Sequence, residues 1–222
     1  MNEPLIALDN VSKLYRRGSE EVHALDGVTL EIAEGDLIAI CGPSGSGKTT
    51  LLNIAGCMDH ASKGMVRIRG EEVERGGERR LAEIRQSLIG FVFQQFFLIP
   101  TLTVEENVEL PLLFSHRRAD RARTAALLES VGLAHRRRHR PGQLSGGEMQ
   151  RVAVARSLIN EPKVILADEP TGNLDSRNSA AVVDLFEALN RKGIAVVLVT
   201  HNPDLAARCR KVVHLEDGRV VA

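Results

Sequence analysis

A chain of 222 residues with 29 basic and 29 acidic side chains is long enough for one sizeable core. Its formal net charge of zero gives no overall attraction to nucleic acid or anionic lipid. No window holds the ~18 consecutive apolar residues of a membrane span, and Met1-Asn2-Glu3-Pro4 lacks a basic-then-apolar leader, so a cytosolic protein is expected.

Leu5-Ile6-Ala7-Leu8 and Val28-Thr29-Leu30-Glu31-Ile32 alternate as half-buried antiparallel strands do, and predict a small β layer. Between them Tyr15, the only tyrosine, sits in the polar stretch 12–17. Its ring is either a surface group or a stacking platform for a base, a contact worth ~1–3 kcal/mol.

The apolar run Leu37-Ile38-Ala39-Ile40-Cys41 leads into Gly42-Pro43-Ser44-Gly45-Ser46-Gly47-Lys48-Thr49 and then Thr50-Leu51-Leu52-Asn53-Ile54. In this order of buried strand, glycine-rich loop and helix start, the pattern G-x-x-x-x-G-K-[ST] reads as a triphosphate-binding loop. Glycines let backbone N–H groups converge on phosphate oxygens, and the helix N-terminus adds bare donors and a positive dipole end. Lys48 supplies a point charge for the β- and γ-phosphates, and the Thr49 hydroxyl one oxygen for Mg²⁺.

Cys41, Cys57 and Cys209 form neither an even disulfide set nor a metal-spaced cluster, which agrees with a reducing compartment. Met65-Val66-Arg67-Ile68-Arg69 predicts a strand, 71–80 a charged segment, 81–87 a helix, and Ile89-Gly90-Phe91-Val92-Phe93 a further strand. The polar pair Gln94-Gln95 that follows either coordinates a ligand or is a solvated strand end.

Thr103-Val104-Glu105-Glu106 is a capping box, and helical periodicity to about residue 131 predicts a helical insertion in an α/β protein. His135 and His139 are separated by Arg136-Arg137-Arg138 and followed by Arg140, charges that oppose a cation site there. That run reads as a solvated face or as a contact to lipid head groups or nucleic acid.

Leu144-Ser145-Gly146-Gly147-Glu148 opens another helix, with Ser145 and Glu148 as its capping box. This second anion-ready terminus is either an ordinary capped helix or serves a phosphate held elsewhere. Lys163 to Ala167 form a buried strand ending in Asp168-Glu169-Pro170. Successive strand residues point to opposite sides, so the two carboxylates divide the work: Asp168 suits the Mg²⁺ shell and Glu169 the polarisation of a water aimed at the γ-phosphorus. Gly172-Asn173-Leu174-Asp175 is a polar turn before a helix, and the apolar strand 194–199 ends at Thr200-His201. His201 is either a satisfied strand-end residue or, emerging where the other strands deliver functional groups, a catalytic one.

Taken together, these residues resemble the ATP-binding cassette family over essentially the whole chain: the loop 42–49, Gln94, the LSGGE signature at 144–148, Asp168-Glu169, Asp175 and His201 occur in the family's order. The resemblance implies an α/β fold with a P-loop NTPase core, RecA-like and mainly parallel. It adds an antiparallel β subdomain and a helical subdomain, about residues 96–160, which carries the signature, all within one nucleotide-binding domain over 1–222. It implies ATP contacts at Tyr15 on the adenine, at Gly42, Ser44, Gly45, Ser46, Gly47, Lys48, Thr49 and Thr50, and at Gln94 and Asp175. Metal contacts fall on Thr49, Gln94 and Asp168, and catalytic roles on Glu169, His201 and Lys48. Ser145, Gly146 and Gly147 would address the ATP of a second copy. Glu148 stands where many members have glutamine.

Segments such as Gly90-Phe91-Val92-Phe93-Gln94-Gln95 and Ala167-Asp168-Glu169-Pro170-Thr171-Gly172-Asn173-Leu174-Asp175 look like the lipoprotein-release and macrolide-export branch, which also includes a cell-division ATPase. The expected function is therefore an ATPase subunit that dimerises around two Mg-ATP and drives a separate integral membrane permease from the inner face of the membrane. The alternative is the ATPase of a membrane signalling complex that transports nothing. No coiled-coil heptads, zinc cysteines or duplicated cassette point to a DNA-repair or translation ATPase, so no nucleic-acid partner is expected. No N-K-x-D motif points to a GTPase.

Overall fold

The structure, a computed structural model, describes residues 3–18, 20–73, 77–115 and 117–221. Residues 74–76 of the charged segment and Met1-Asn2 of the terminus lie outside the described residues. In chain order the elements are β1 (Ile6–Arg17), β2 (Glu20–Ile32), β3 (Leu37–Cys41), α1 (Lys48–Ala55), β4 (Lys63–Ile68), β5 (Glu71–Glu72), α2 (Gly77–Leu88) and β6 (Ile89–Phe93). They continue as α3 (Val104–Phe114), α4 (Arg121–Ser130), α5 (Gly146–Leu158), β7 (Val164–Asp168), α6 (Ser176–Arg191), β8 (Ala195–Val199), α7 (Pro203–Ala207), β9 (Lys211–Glu216) and β10 (Arg219–Val221).

Among the described residues the strands form two sheets, an antiparallel one in the order β2-β1-β4-β5 and a larger one in the order β10-β9-β3-β8-β7-β6. Strands β9 to β6 of the larger sheet run parallel, and only β10 is antiparallel. Of these, β3, β7 and β8 read as continuous apolar runs because both of their faces are covered. On β8, Ala195, Val197 and Val199 pack with α1 and the antiparallel sheet, while Val196 and Leu198 pack toward α6. A third apolar cluster, around Val108, Leu128, Leu133 and Val152, is built by α3, α4 and α5 and forms the core of the helical subdomain.

The register sets the site. Ile40 lies opposite Val199, Val199 opposite Asp168, and Asp168 opposite Phe93, so the C-terminal ends of β3, β8, β7 and β6 are level. The residues that follow them emerge together at the carboxyl edge of the parallel sheet, where open α/β folds bind ligands.

Two elements differ from the sequence reading. β1 continues through Tyr15 to Arg17, with register shifts between Leu8 and Leu14, because irregular pairing lets a polar stretch stay in the sheet. β9 and β10 extend the parallel sheet beyond His201. Their exposed valines (Val212, Val220 and Val221) and interspersed charges give the sequence no clean apolar run.

The loop after β6 is fastened to the helical subdomain. Asn107, fully buried, donates to the carbonyls of Ile99, Leu102 and Thr103 and accepts from the Ile99 N–H at 2.8 Å. Arg156 on α5 donates to the carbonyls of Phe97 (2.6 Å) and Phe96 (2.8 Å), and burial lowers its pKa. Carbonyls within the arginine run have a structural use: those of His139 and Arg137 accept the first N–H groups of α3, from Val104 and Glu105.

Candidate functional site

The loop between β3 and α1 turns sharply enough to aim its backbone at a ligand only because Gly47 adopts φ +100°, and a Cβ there would stand 2.2 Å from the Ala24 carbonyl. Above the loop lies a cavity of about 490 Å³, lined by Gly42, Ser44, Gly45, Gly47, Lys48, Thr49, Thr50, Gln94, Asp168, Glu169 and His201. Val22, His23 and Ala24 of β2 close another side. Those three carry no motif, and only the folding of β2 against the loop brings them there. Lys48 Nζ donates to the carbonyls of Gly42 (2.9 Å) and Pro43 (2.7 Å), which holds its charge over the loop.

The Thr49 hydroxyl donates to Asp168 Oδ2 at 2.9 Å. Burial pushes the Asp168 carboxyl above the usual aspartate range, and the neighbouring Glu169 charge adds to this while Thr49 and Lys48 oppose it. One residue on, Glu169 takes a left-handed backbone (φ +46°), costly for a non-glycine residue by about 1–3 kcal/mol. Its N–H is tied to the Val199 carbonyl at 3.0 Å, and its carbonyl accepts from Gly172 at 3.0 Å. The twist brings Glu169 Oε1 within 2.9 Å of His201 Nδ1. Gln94 reaches the cavity from β6, and its Nε2 donates to Asn173 Oδ1 at 3.3 Å, which turns the amide oxygen the other way.

The donor set fits magnesium. Thr49, Asp168 and Gln94 present hard oxygens to one cavity. Among the described residues no group of three or more His, Cys, Asp or Glu forms a closed cage. Mg²⁺ keeps waters and phosphate oxygens in its shell and needs only one or two carboxylates from the protein. Ser46, on the same loop, is not in the cavity lining, and its Oγ is buried without a hydrogen-bond partner.

Tyr15 stands beside the cavity rather than in its lining. Its hydroxyl donates to Asp59 Oδ2 at 2.6 Å, and Lys13 Nζ lies 4.9 Å from the ring centroid.

Ser145, Gly146, Gly147 and Asp175 lie apart from this cavity. Ser145 caps α5, accepting the Glu148 N–H at 3.2 Å, while Glu148 Oε2 accepts the Ser145 N–H at 2.8 Å. Asp175 caps α6 and accepts from Asn178 Nδ2 at 2.6 Å. The Asn178 side chain packs directly under Gly147, so the two sets form one surface.

A second hollow of about 530 Å³ lies between α2, β6, α3 and α5, lined by Phe91, Phe93, Phe97, Leu110, Pro111 and Phe114 among others. Around it Phe97, Leu113 and Phe114 are 61 %, 70 % and 66 % exposed. Among the described residues no helix is long and apolar enough to cross a membrane.

A parallel sheet whose carboxyl edge gathers a glycine-rich phosphate cradle, a lysine, a hydroxyl–carboxylate pair and a glutamate bonded to a histidine defines a P-loop nucleotide hydrolase. The sequence pattern of the family described as "ABC transporter" matches residues 25–172, and the chain belongs to that family. It is 50% identical over 218 residues to an uncharacterized ABC transporter ATP-binding protein of Thermotoga maritima, covering 97% of this chain and 93% of the relative. It is 48% identical over 221 residues to the macrolide export ATP-binding/permease protein MacB 1/2 of Paracoccus denitrificans, covering 99% of this chain but 33% of that protein, so the chain spans about a third of its length. It is also similar to the dimeric post-hydrolysis structure of the ATP-binding cassette MJ0796 bound to ADP and Pi, with a TM-score of 0.90 at 45% identity over 98% of this chain and 97% of that one. The protein is an ATPase of the ABC transporter type, with ATP and Mg²⁺ as its nucleotide and metal.

Proposed function

We propose that the chain, as one cassette over 1–222 with a helical part at about 96–160, is the ATP-hydrolysing subunit of an exporter of the macrolide-export or lipoprotein-release type. Two copies close face to face on two Mg-ATP and drive an integral permease, which holds them at the inner face of the membrane. The observation that carries this reading is the split site: the phosphate cradle and Glu169 share one cavity, while Ser145, Gly146 and Gly147 cap a helix outside it. A helix terminus with bare N–H groups suits a phosphate that its own chain does not hold. The dimeric MJ0796 cassette and the MacB relative, named for both ATP binding and permease, support the two partners.

In this reading the loop N–H groups and Lys48 hold the β- and γ-phosphates, and Tyr15 stacks on the base. Thr49, Asp168 and Gln94 would hold Mg²⁺, which supplies charge neutralisation at the phosphates. Glu169 accepts a hydrogen bond from the attacking water and turns its lone pair toward the γ-phosphorus. His201 fixes the Glu169 carboxylate and reaches the γ-phosphate. Asp175 shapes the turn that meets the second copy, and the Phe97, Leu113 and Phe114 rim receives the permease.

Glu169→Gln tests this directly. It should bind ATP, form a stable dimer on size-exclusion chromatography and turn over at least about a hundredfold more slowly. Parental turnover, or a monomer at saturating Mg-ATP, would remove the basis for the assignment.

A further inference from the structure

The two oxygens of Glu148 have separate partners. Oε2 accepts the Ser145 N–H at 2.8 Å, and Oε1 accepts Arg136 Nε at 3.1 Å. Both side chains are largely covered, Arg136 at 35 % and Glu148 at 16 % exposure, so the pair is less screened than a surface ion pair. Arg136 is itself held, with Nη1 3.1 Å from His139 Nε2, and the carbonyls of Arg137 and His139 receive the first N–H groups of α3. The Ser145 N–H, and after it Arg136, hold the Glu148 carboxyl below the usual glutamate range, so it is anionic at neutral pH.

An anion at this position poses a problem that a neutral amide would not. Glu148 sits in the first turn of α5, beside the N–H groups of Gly146 and Gly147 that would face a triphosphate carrying several negative charges. Like charges a few ångströms apart repel strongly where water is excluded. We infer that Arg136 is a positioning residue for hydrolysis: it neutralises Glu148 and keeps that carboxylate turned back onto the Ser145 N–H, so that the signature helix can accept the γ-phosphate of a second copy. The inference rests on the reading that Ser145 to Gly147 engage the partner's ATP. It adds that this engagement depends on a cation brought in from a segment twelve residues earlier.

The dependence should exist only while residue 148 is charged, and a double-mutant cycle on the full chain reads this. Turnover and the ATP-driven dimerisation constant, the latter in the Glu169→Gln background, are measured beside monomer affinity for a fluorescent ATP analogue. Arg136→Met should lower turnover and weaken dimerisation about tenfold or more, with analogue affinity within about twofold of the parent. In chains that also carry Glu148→Gln, the same Arg136→Met change should cost less than about threefold, because an amide accepts the Ser145 N–H without a charge to neutralise. An equal penalty on both backgrounds would reduce Arg136 to ordinary packing and overturn the inference, and so would no penalty on either. If Arg136→Met does not fold, Arg136→Gln, which also removes the charge, is run through the same cycle with the same expected and overturning results, and Arg136→Lys, which keeps the charge, should cost less than about threefold on either background. Ser145→Arg separates the two levels: if it leaves dimerisation intact, the reading of the signature fails, whereas if it abolishes dimerisation while Arg136→Met is silent, only the role of Arg136 fails.

Discussion

Thr49 and Asp168, 119 residues apart, share a 2.9 Å hydrogen bond at the mouth of the phosphate loop. The bond joins the start of α1 to the end of β7, and it joins the two side chains best suited to hold magnesium. It also places a carboxylate where burial disfavours its charge, a cost that a bound cation would offset.

Asp168→Asn should therefore stabilise the nucleotide-free protein while abolishing its chemistry. A carboxyl whose folded pKa is raised favours the fold while protonated, and that contribution is lost as pH rises through the folded pKa. The amide removes the loss but still accepts the Thr49 hydroxyl. Thermal melts should show the variant higher at pH 7, with the gap closing as pH falls toward the ordinary aspartate value of 3.8. ATPase activity should drop by about a hundredfold or more. A variant that melts below the parent at pH 7 would contradict the electrostatic account.

His201→Ala removes the partner 2.9 Å from Glu169 Oε1 and leaves the phosphate loop alone. The expected result is a fall in kcat of about 10²-fold or more with KM within about threefold, the split for a group that acts on the transition state rather than on nucleotide binding. A rise in KM at unchanged kcat would make His201 a binding residue.

Much of this arrangement is legible in the chain because it is local. A loop flanked by strand and helix, a capping box and a carboxylate pair at a strand end are all patterns within about twenty residues, and the structure puts Lys48, Thr49, Gln94, Asp168, Glu169 and His201 around one cavity. What the sequence does not show depends on contact between distant segments. His23 lines the cavity only because β2 lies across it, and Asn178 supports Gly147 only because α6 starts beside α5. The Glu148 departure reads as a bare extra charge until the fold brings Arg136 to it.

Gly147→Ala probes that support. Its Cβ would stand 2.1 Å from Asn178 Oδ1 and 2.4 Å from Cγ, and Asn178 cannot swing away without losing its 2.6 Å bond to Asp175. Overpacking of this kind costs about 1–3 kcal/mol. The substitution should lower the melting temperature and weaken ATP-driven dimerisation, with ATP-analogue affinity of the monomer retained. Adding Asn178→Ala removes the clashing atoms and should recover most of the melting temperature. If Gly147→Ala melts with the parent, the contact is not tight.

The exposed rim of the second hollow makes the last prediction. Phe97, Leu113 and Phe114 expose apolar surface around a hollow lined by further aromatic and aliphatic side chains, a patch that water penalises and a partner would cover. It adjoins the loop after Gln94, which Arg156 fastens to α5, so a partner seated there bears on Gln94 and the signature helix together. Phe114→Asp should leave basal ATPase activity within about twofold, since Phe114 lies outside the nucleotide cavity. It should nevertheless sharply reduce recovery of the chain with detergent-solubilised membranes. Retention at parental levels would move the permease contact to another face, whereas loss of ATPase activity in the isolated chain would show that the rim serves the fold rather than a partner.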